Sequence, residues 1–389
     1  MLQLSKWGLT ITDVFKLGFI GGGLNSAVGT THFIASQMDG LFKVEAGCFS
    51  RDPEINRQTA ERWGISPERN YASFTEMLDQ ETGYLDAIVI LTPTPDHFEP
   101  VTQALKKGYA VICEKSLTST ISDAISIQEV QKAHNGFLAV TYNYTGYPML
   151  RELKHQIDNN QLGMIQQIHI EMPQEGYSRL NRDGNPMIPQ QWRLRDADLP
   201  TLSLDLGGHV HSIIDFISGE KPQQLVALQS SLGCFSQVVD NSLCIARYSN
   251  DLTCNIWFSK SALGYRNGLR IRVFGEKGSA EWHQMEPEFL ISHDNRGHKM
   301  ILDRASVEVG VSHLPRYNRF KSGHPAGFLE AFGNLYCDIA DSLSVFKKTG
   351  TQKTREYVFE TQHALEGLIM FKAMTHSSNL GTWVPVSGS

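Results

Sequence analysis

The sequence predicts an α/β protein, with a doubly wound parallel sheet first and an α+β region with an open, mostly antiparallel sheet after it. Three observations predict this. Apolar, β-branched runs alternate with helical segments through the first third of the chain. Gly21-Gly22-Gly23 follows the first of these runs. Beyond Pro148 the pattern turns to closely spaced strands with fewer helices. Strand–helix alternation is the pattern of a parallel sheet covered on both faces, and a run of strands that of an antiparallel one.

Taken in order, residues 14–20 form the first strand and enter the glycine turn, and a helix carrying Gly29, His32, Phe33 and Ile34 follows. Residues 42–49 are the second strand, and Pro53 suits the first turn of a helix over 54–63. The run Ala87-Ile88-Val89-Ile90-Leu91 within 86–91 has the continuous apolar character of a strand buried on both faces. Thr92-Pro93-Thr94-Pro95-Asp96-His97 breaks it. A helix over 98–107, a strand at 110–113, a helix over 122–133 and a strand at 137–141 complete this half. A helix over 149–159 opens the second half. Strands follow at 165–172, 243–248, 253–258, 269–274 and 279–282, then helices at 327–341 and 356–373.

The chain has 389 residues, 41% of them hydrophobic and 20% charged, enough for two domains with substantial cores. Lys and Arg number 35 against 41 Asp and Glu, a net charge of −6. That offers no broad cationic field for nucleic acid or anionic lipid. The six cysteines (Cys48, Cys113, Cys234, Cys244, Cys254, Cys337) include no C-x-x-C pair and read as reduced thiols. Residues 1–12 lack the basic start, apolar stretch and cleavage site of a leader, and no apolar run reaches membrane-spanning length. The expectation is a soluble, cytoplasmic protein.

The glycine turn has the first part of a dinucleotide fingerprint. Its glycines permit a tight bend and let backbone N–H groups approach a pyrophosphate at a helix N-terminus. The strict spacing fails at Ser26; three inserted residues would pass the third glycine's role to Gly29. At the end of the second strand an NAD-preferring site offers Asp or Glu to the ribose. This chain has Ser50-Arg51, with Asp52 slightly later. A hydroxyl and a guanidinium suit a ribose 2′-phosphate, while an Arg51 that stacks on adenine or faces water carries no such preference. NAD and NADP both stay open.

Lys115, in Val111-Ile112-Cys113-Glu114-Lys115-Ser116, stands two residues past an apolar strand. Ligands of open α/β sheets bind beyond the carboxyl ends of the strands, so an ammonium there faces the bound molecule and can give or take a proton. The plain alternative is a surface lysine ending a strand. Asp205 and His209, four apart, fall on one face of any helix beginning near Gly208, and Gly207-Gly208 leaves room for a ligand to approach. The alternative there is a helix cap beside a satisfied histidine. His209 and His211 lack a third ligand at metal-binding spacing, so no metal is expected. Trp192-Arg193 can stack on a ligand face and bind hydroxyls or an anionic group, or serve as an interface or core contact. Residues 313–324, rich in basic groups, read either as a loop closing over substrate or as a solvated loop.

These pieces, in this order, resemble the glucose–fructose oxidoreductase / inositol dehydrogenase / MocA (Gfo/Idh/MocA) family. The matching stretches are Gly21-Gly22-Gly23, Thr92 to His97, Glu114-Lys115-Ser116, Asn143-Tyr144, Trp192-Arg193, Asp205-Leu206-Gly207-Gly208-His209 and Gly323-His324-Pro325-Ala326-Gly327-Phe328. The family's Glu-Lys-Pro reads Glu-Lys-Ser here, which loosens a turn and leaves the lysine.

The resemblance implies an N-terminal doubly wound Rossmann domain (1–145) and a C-terminal domain for substrate binding and oligomerisation (146–389), forming a homodimer or homotetramer through its sheet. It also implies hydride transfer between NAD or NADP and a secondary alcohol of a sugar, sugar derivative or cyclitol. The catalytic set it implies is Lys115, Asp205 and His209, with His209 as acid/base and Asp205 holding substrate hydroxyls. The cofactor set is Gly21, Gly23, Leu24, Asn25, Ser26, Ser50, Arg51, Thr92, Pro93, His97, Glu114 and Lys115. Asn143, Tyr144, Trp192, Arg193 and His324 are the substrate candidates, and His211 is structural. Two other outcomes share the cofactor or the fold: a redox glycosidase working through a keto-sugar, and a non-catalytic ligand sensor.

Overall fold

In a computed structural model, residues 14–352 and 356–387 are described; residues 1–12, read above for a leader, lie outside them. The chain forms two compact units, Met1–Gly146 with Phe328–Leu365, and Tyr147–Gly327 with Glu366–Ser389.

The first unit is built on strands β1 (Phe15–Gly21), β2 (Phe42–Cys48), β3 (Ala87–Leu91), β4 (Ala110–Cys113) and β5 (Leu138–Val140). They form one parallel sheet in the order β2-β1-β3-β4-β5. The order reverses between β1 and β3, and the crevice beyond the strands' carboxyl ends opens at such a point. Helices α1 (Gly29–Gln37), α2 (Pro53–Trp63), α3 (Phe74–Gln80), α4 (Phe98–Lys106) and α5 (Ile121–Ala133) connect the strands. Every residue of β3 and β4 is buried, as their unbroken apolar runs require. Asp52 caps α2 through its carboxylate, with Pro53 in the first turn. Helix α3 escapes the sequence reading because it is a two-turn helix; its start is marked by the Ser73 cap.

A cut near residue 145 does not describe this unit. The later segment Phe328–Leu365 returns to it, and the reason is apolar burial. Phe332, Leu335, Tyr336, Ile339 and Leu343 join the core that contains Phe15, Leu17, Phe42 and Val89. Each large side chain buried this way contributes roughly 1.5–3 kcal/mol.

The second unit holds helices α6 (Pro148–Asp158) and α7 (Gly208–Ser218), and strands β6 (Ile165–Pro173), β7 (Pro222–Ser230), β8 (Asn241–Tyr248), β9 (Thr253–Ser259), β10 (Arg270–Gly275), β11 (Gly278–His283), β12 (Leu290–Asp294), β13 (Lys299–Leu302) and β14 (Val384–Pro385). The nine strands form one sheet, β13-β12-β11-β10-β6-β9-β8-β7-β14, antiparallel except for the β6–β9 pair. Burial alternates along β8, so one face is packed and the other bare. Leu228, Leu243 and Ile245 lie exposed on β7 and β8. Helices α8 (Phe328–Thr349) and α9 (Thr361–Leu380) close the element list.

The long loop after β13 is pinned by buried charges. Glu152 of α6 accepts the backbone N–H groups of Gly310, Val311 and Ser312 at 2.9–3.0 Å. Arg304, paired with Glu288, donates to the carbonyls of Tyr317 and His324. Arg151, next to Glu152 in the chain, donates to the Tyr317 hydroxyl at 2.7 Å. These bonds anchor the loop at Gly310–Ser312, Tyr317 and the His324 carbonyl, while His313, Leu314, Phe320, Lys321 and His324 are exposed to solvent. Among the described residues no helix is long and apolar enough to cross a membrane, and none of the six cysteines is bridged.

Candidate active site

The glycine turn sits at the carboxyl end of β1. Gly21 and Gly22 both have φ near +80°, a conformation that β-carbon-bearing residues avoid. A Cβ on Gly29 would fall 1.7 Å from the Gly22 carbonyl oxygen, so α1 starts pressed against the turn. Gly29 therefore takes the third-glycine role that Ser26 vacates. Ser26 instead accepts the N–H groups of Val28 and Gly29 at 3.3 Å, tying the inserted residues to the helix start. The glycine turn carries no side chain and lies at a helix N-terminus, the placement a pyrophosphate uses, although Ser26 occupies the Val28 and Gly29 N–H groups here. Leu24 and Asn25 are exposed beside it.

At the end of β2, Ser50 accepts the Asp52 N–H at 3.1 Å, and one Asp52 oxygen is taken by the α2 cap. Arg51 is exposed and pairs with Asp96 at 2.6 Å. His97 is fully buried. Its Nε2 lies 2.7 Å from the Thr92 carbonyl, and its Nδ1 lies 2.9 and 3.2 Å from the carbonyls of Ser116 and Leu117. Burial pushes its pKa down despite those carbonyls. His97 thus braces the loops after β3 and β4, and both ring nitrogens are occupied by backbone. The residue next to it in the cofactor set, Pro93, begins that bracing turn.

Glu114 is buried as well. Its carboxylate accepts from His32 Nε2 at 2.9 Å and from the Thr141 hydroxyl, and His32 Nδ1 lies 2.8 Å from the Tyr336 hydroxyl. Burial pushes this carboxyl up, but the donors from His32, the charges of His32 and Lys115, and Thr141 outweigh it and bring the pKa down to about 2. Lys115 is half-buried next in the chain, and its peptide bond to Ser116 is cis. Asn143 and Tyr144 lie buried in a short turn against α8, where Asn334 donates to the Gly146 carbonyl at 2.8 Å. The Asn143 amide nitrogen has no hydrogen-bond partner among the described residues.

In the second unit, Asp205 lies in a π-helical turn (Ser203–Gly207) that runs into α7, whose first turn carries His209. Its carboxylate makes ion pairs with both Arg193 and Lys260. Lys260 follows β9, is nearly buried, and sits 5.1 Å over the Tyr177 ring. Tyr177 donates to the Arg193 carbonyl at 3.1 Å, and burial raises its phenol. Arg193 also lies over the Trp192 ring at 4.6 Å, and the indole N–H goes to Gln190.

One expectation changes. Gly207 does not leave room for a ligand: a Cβ there would meet Phe371 at 2.9 Å and Phe258 at 3.3 Å, so it exists for packing. The Trp192 ring has Arg193 over one face, and His324 is exposed with its backbone carbonyl held by Arg304. Two residues escape the sequence reading. Lys260 has its partner 55 positions away and no local pattern to mark it. Tyr336 is joined to His32 across 304 positions.

A family profile described as "Oxidoreductase family, NAD-binding Rossmann fold" matches residues 15–142. A second, the GFO/IDH/MocA C-terminal domain, matches residues 150–281. The uncharacterized oxidoreductase YfiI of Bacillus subtilis is 26% identical, over 96% of this chain and 97% of its own. An inositol dehydrogenase homolog from Azotobacter vinelandii, solved with NADH and myo-inositol, superposes with a TM-score of 0.87 at 25% identity, covering 96% of this chain and 98% of that one. An oxidoreductase from Sinorhizobium meliloti gives 0.82 at 29% identity, covering 96% and 99%. On this evidence the chain belongs to the Gfo/Idh/MocA family of NAD-binding oxidoreductases.

Proposed function

We propose that this oxidoreductase is an NAD(P)-dependent dehydrogenase of a secondary alcohol in a sugar, sugar derivative or cyclitol. The observation that carries the reading is the pairing of a side-chain-free cradle at Gly21, Gly22 and Gly29 with a lysine just beyond β4 of the same sheet. Similarity over nearly the whole chain to a protein solved with NADH and myo-inositol supports the substrate class. Gly21, Gly23 and the backbone around Ser26 hold the pyrophosphate, Ser50 and Arg51 face the adenosine ribose, and Thr92 and Pro93 line the crevice. When bound, the nicotinamide supplies the hydride acceptor.

The remaining chemistry belongs to side chains. His209 takes the hydroxyl proton, near neutral pH the natural task of an imidazole. Lys115 donates to a substrate oxygen and favours its negative character as a proton leaves. Asp205, clamped by Arg193 and Lys260, accepts from neighbouring substrate hydroxyls and fixes their orientation. Asn143 supplies a buried amide donor of the kind that reads a ligand oxygen.

A panel of polyols, sugars and keto-sugars with NAD or NADP tests this by absorbance of the reduced nicotinamide. Turnover with at least one of them is expected; cofactor binding without turnover on any sinks the reading. Product release without net reduction would instead mark redox glycoside cleavage. We also propose that the bare face of the sheet, with Leu228, Leu243 and Ile245, is covered by a second copy of the chain. Light scattering on Ile245→Glu is expected to show a smaller assembly than the unaltered protein.

A further inference from the structure

We infer that His32 is a positioning residue for Lys115: from α1 it fixes the carboxylate of Glu114, the lysine's neighbour in the chain, and so keeps a permanent anion beside the ammonium. This rests on the proposed role of Lys115.

The geometry is a chain of hydrogen bonds that joins four elements at one point. His32, with no exposed surface, reaches Glu114 through Nε2 at 2.9 Å and Tyr336 of α8 through Nδ1 at 2.8 Å. The Thr141 hydroxyl, just past β5, donates to the same Glu114 oxygen that faces His32. Nε2 faces the carboxylate while Nδ1 pairs with the Tyr336 hydroxyl, so the two partners fix one ring orientation. The edges of Phe332 and Tyr336 pack on the imidazole, at 4.8 and 5.8 Å between centroids, and prevent it from turning away.

The titratable groups that face Glu114 are His32 from α1, Tyr336 from α8, His97 from the turn before α4, and Cys113 and Lys115 at its own strand end. Burial by itself drives this carboxyl to take a proton; the donors oppose it. With the imidazole removed, the largest stabiliser of the anion goes and burial prevails. Glu114 becomes a neutral acid, and Lys115 loses both a charge and a fixed neighbour. His32 also lies one helical turn after Gly29, so the helix that closes the cradle is the one that holds the carboxylate.

The test uses the full chain and three variants: His32→Leu, which keeps bulk without a donor, His32→Gln, whose amide can replace Nε2–H, and His32→Leu with Glu114→Gln. Infrared difference spectra of the cofactor-free protein at pH 7 should show a protonated-carboxyl C=O band in His32→Leu that is absent in His32→Gln and in the double variant. The kcat of His32→Leu should fall by between about tenfold and a hundredfold while substrate KM changes little, and His32→Gln should recover most of it. A neutral-range ionisation should appear in the kcat–pH profile of His32→Leu alone. The inference is overturned if no such band appears, if the band appears with kcat unchanged, or if His32→Gln is as impaired as His32→Leu. Lys115→Ala, run beside them, separates the two readings. Full activity there removes the proposed role of the lysine, while the infrared result still reports whether His32 holds Glu114 ionised.

Discussion

Glu114 and Asp205 are both carboxylates next to proposed catalytic residues, and the protein holds them in opposite ways. Glu114 is buried in the first unit and receives an imidazole N–H and a hydroxyl, with no arginine in contact. Asp205, in the second unit, sits between two full cations, one of which keeps about a quarter of its side-chain surface exposed (24% for Arg193). A carboxylate surrounded by directed donors in a dry interior is fixed in orientation and indifferent to salt. One clamped by cations near solvent is adjustable, and salt screens it. The difference suits the proposed tasks: a fixed electrostatic setting beside the lysine, and an acceptor that can share its partners with a substrate's hydroxyls.

The largest expected effect tests whether the first of these settings matters at all. Lys115→Ala should lower kcat by roughly a thousandfold, within the range for losing a general acid–base or oxyanion-stabilising group, while dinucleotide binding measured by fluorescence is kept. Normal turnover would leave Glu114 with nothing to serve.

Next comes acid stability. The ordinary glutamate value here is 4.5 and the folded value about 2. A depressed folded pKa stabilises above the unfolded value and loses that contribution as pH falls through the folded one, so Glu114 supports the fold fully above about 4.5 and not below about 2. Urea unfolding of the protein against Glu114→Gln should show an advantage on the order of 3 kcal/mol at pH 7 that shrinks steadily towards pH 2.

Lys260→Met takes one cation from Asp205. Substrate KM should rise about tenfold, and Lys260→Arg should restore it. Added salt should raise the KM of the unaltered protein in the same direction, and leave the infrared signature of Glu114 untouched. A salt response at Glu114 would erase the contrast.

The smallest effect is Thr141→Val. It removes one donor from Glu114 and leaves His32, and should cost about 1 kcal/mol in denaturant unfolding. A much larger loss would mean the hydroxyl, and not the imidazole, is the main support.

How far the residues alone disclose this site differs between its parts. The glycine turn and Lys115 are legible because their signals are local: a strand, a bend that only glycine allows, and a charge just past an apolar run. The helical spacing of Asp205 and His209 is plain in the chain, while the structure places Asp205 in a π-helical turn and His209 in the first turn of α7; Gly207 misleads, because a small residue reads the same whether a ligand or Phe371 fills the space. His97 reads as a ligand contact and turns out to brace backbone on both ring edges, a distinction only its surroundings make. Strands β7, β12 and β13 go unread because they are edge-side strands of mixed polarity that draw definition from their neighbours.

What the chain by itself determined is the class of the fold, the cradle and the residue types that chemistry requires, since periodicity, turn conformation and charge act over a few neighbouring positions. What only the tertiary structure decided is who holds those residues. Tyr336 and Lys260 reach partners 304 and 55 positions away. The return of Phe328–Leu365 to the first unit depends on a core that exists only once the sheet has formed. Burial and distant pairing depend on the whole packed arrangement, and no local stretch of sequence contains them.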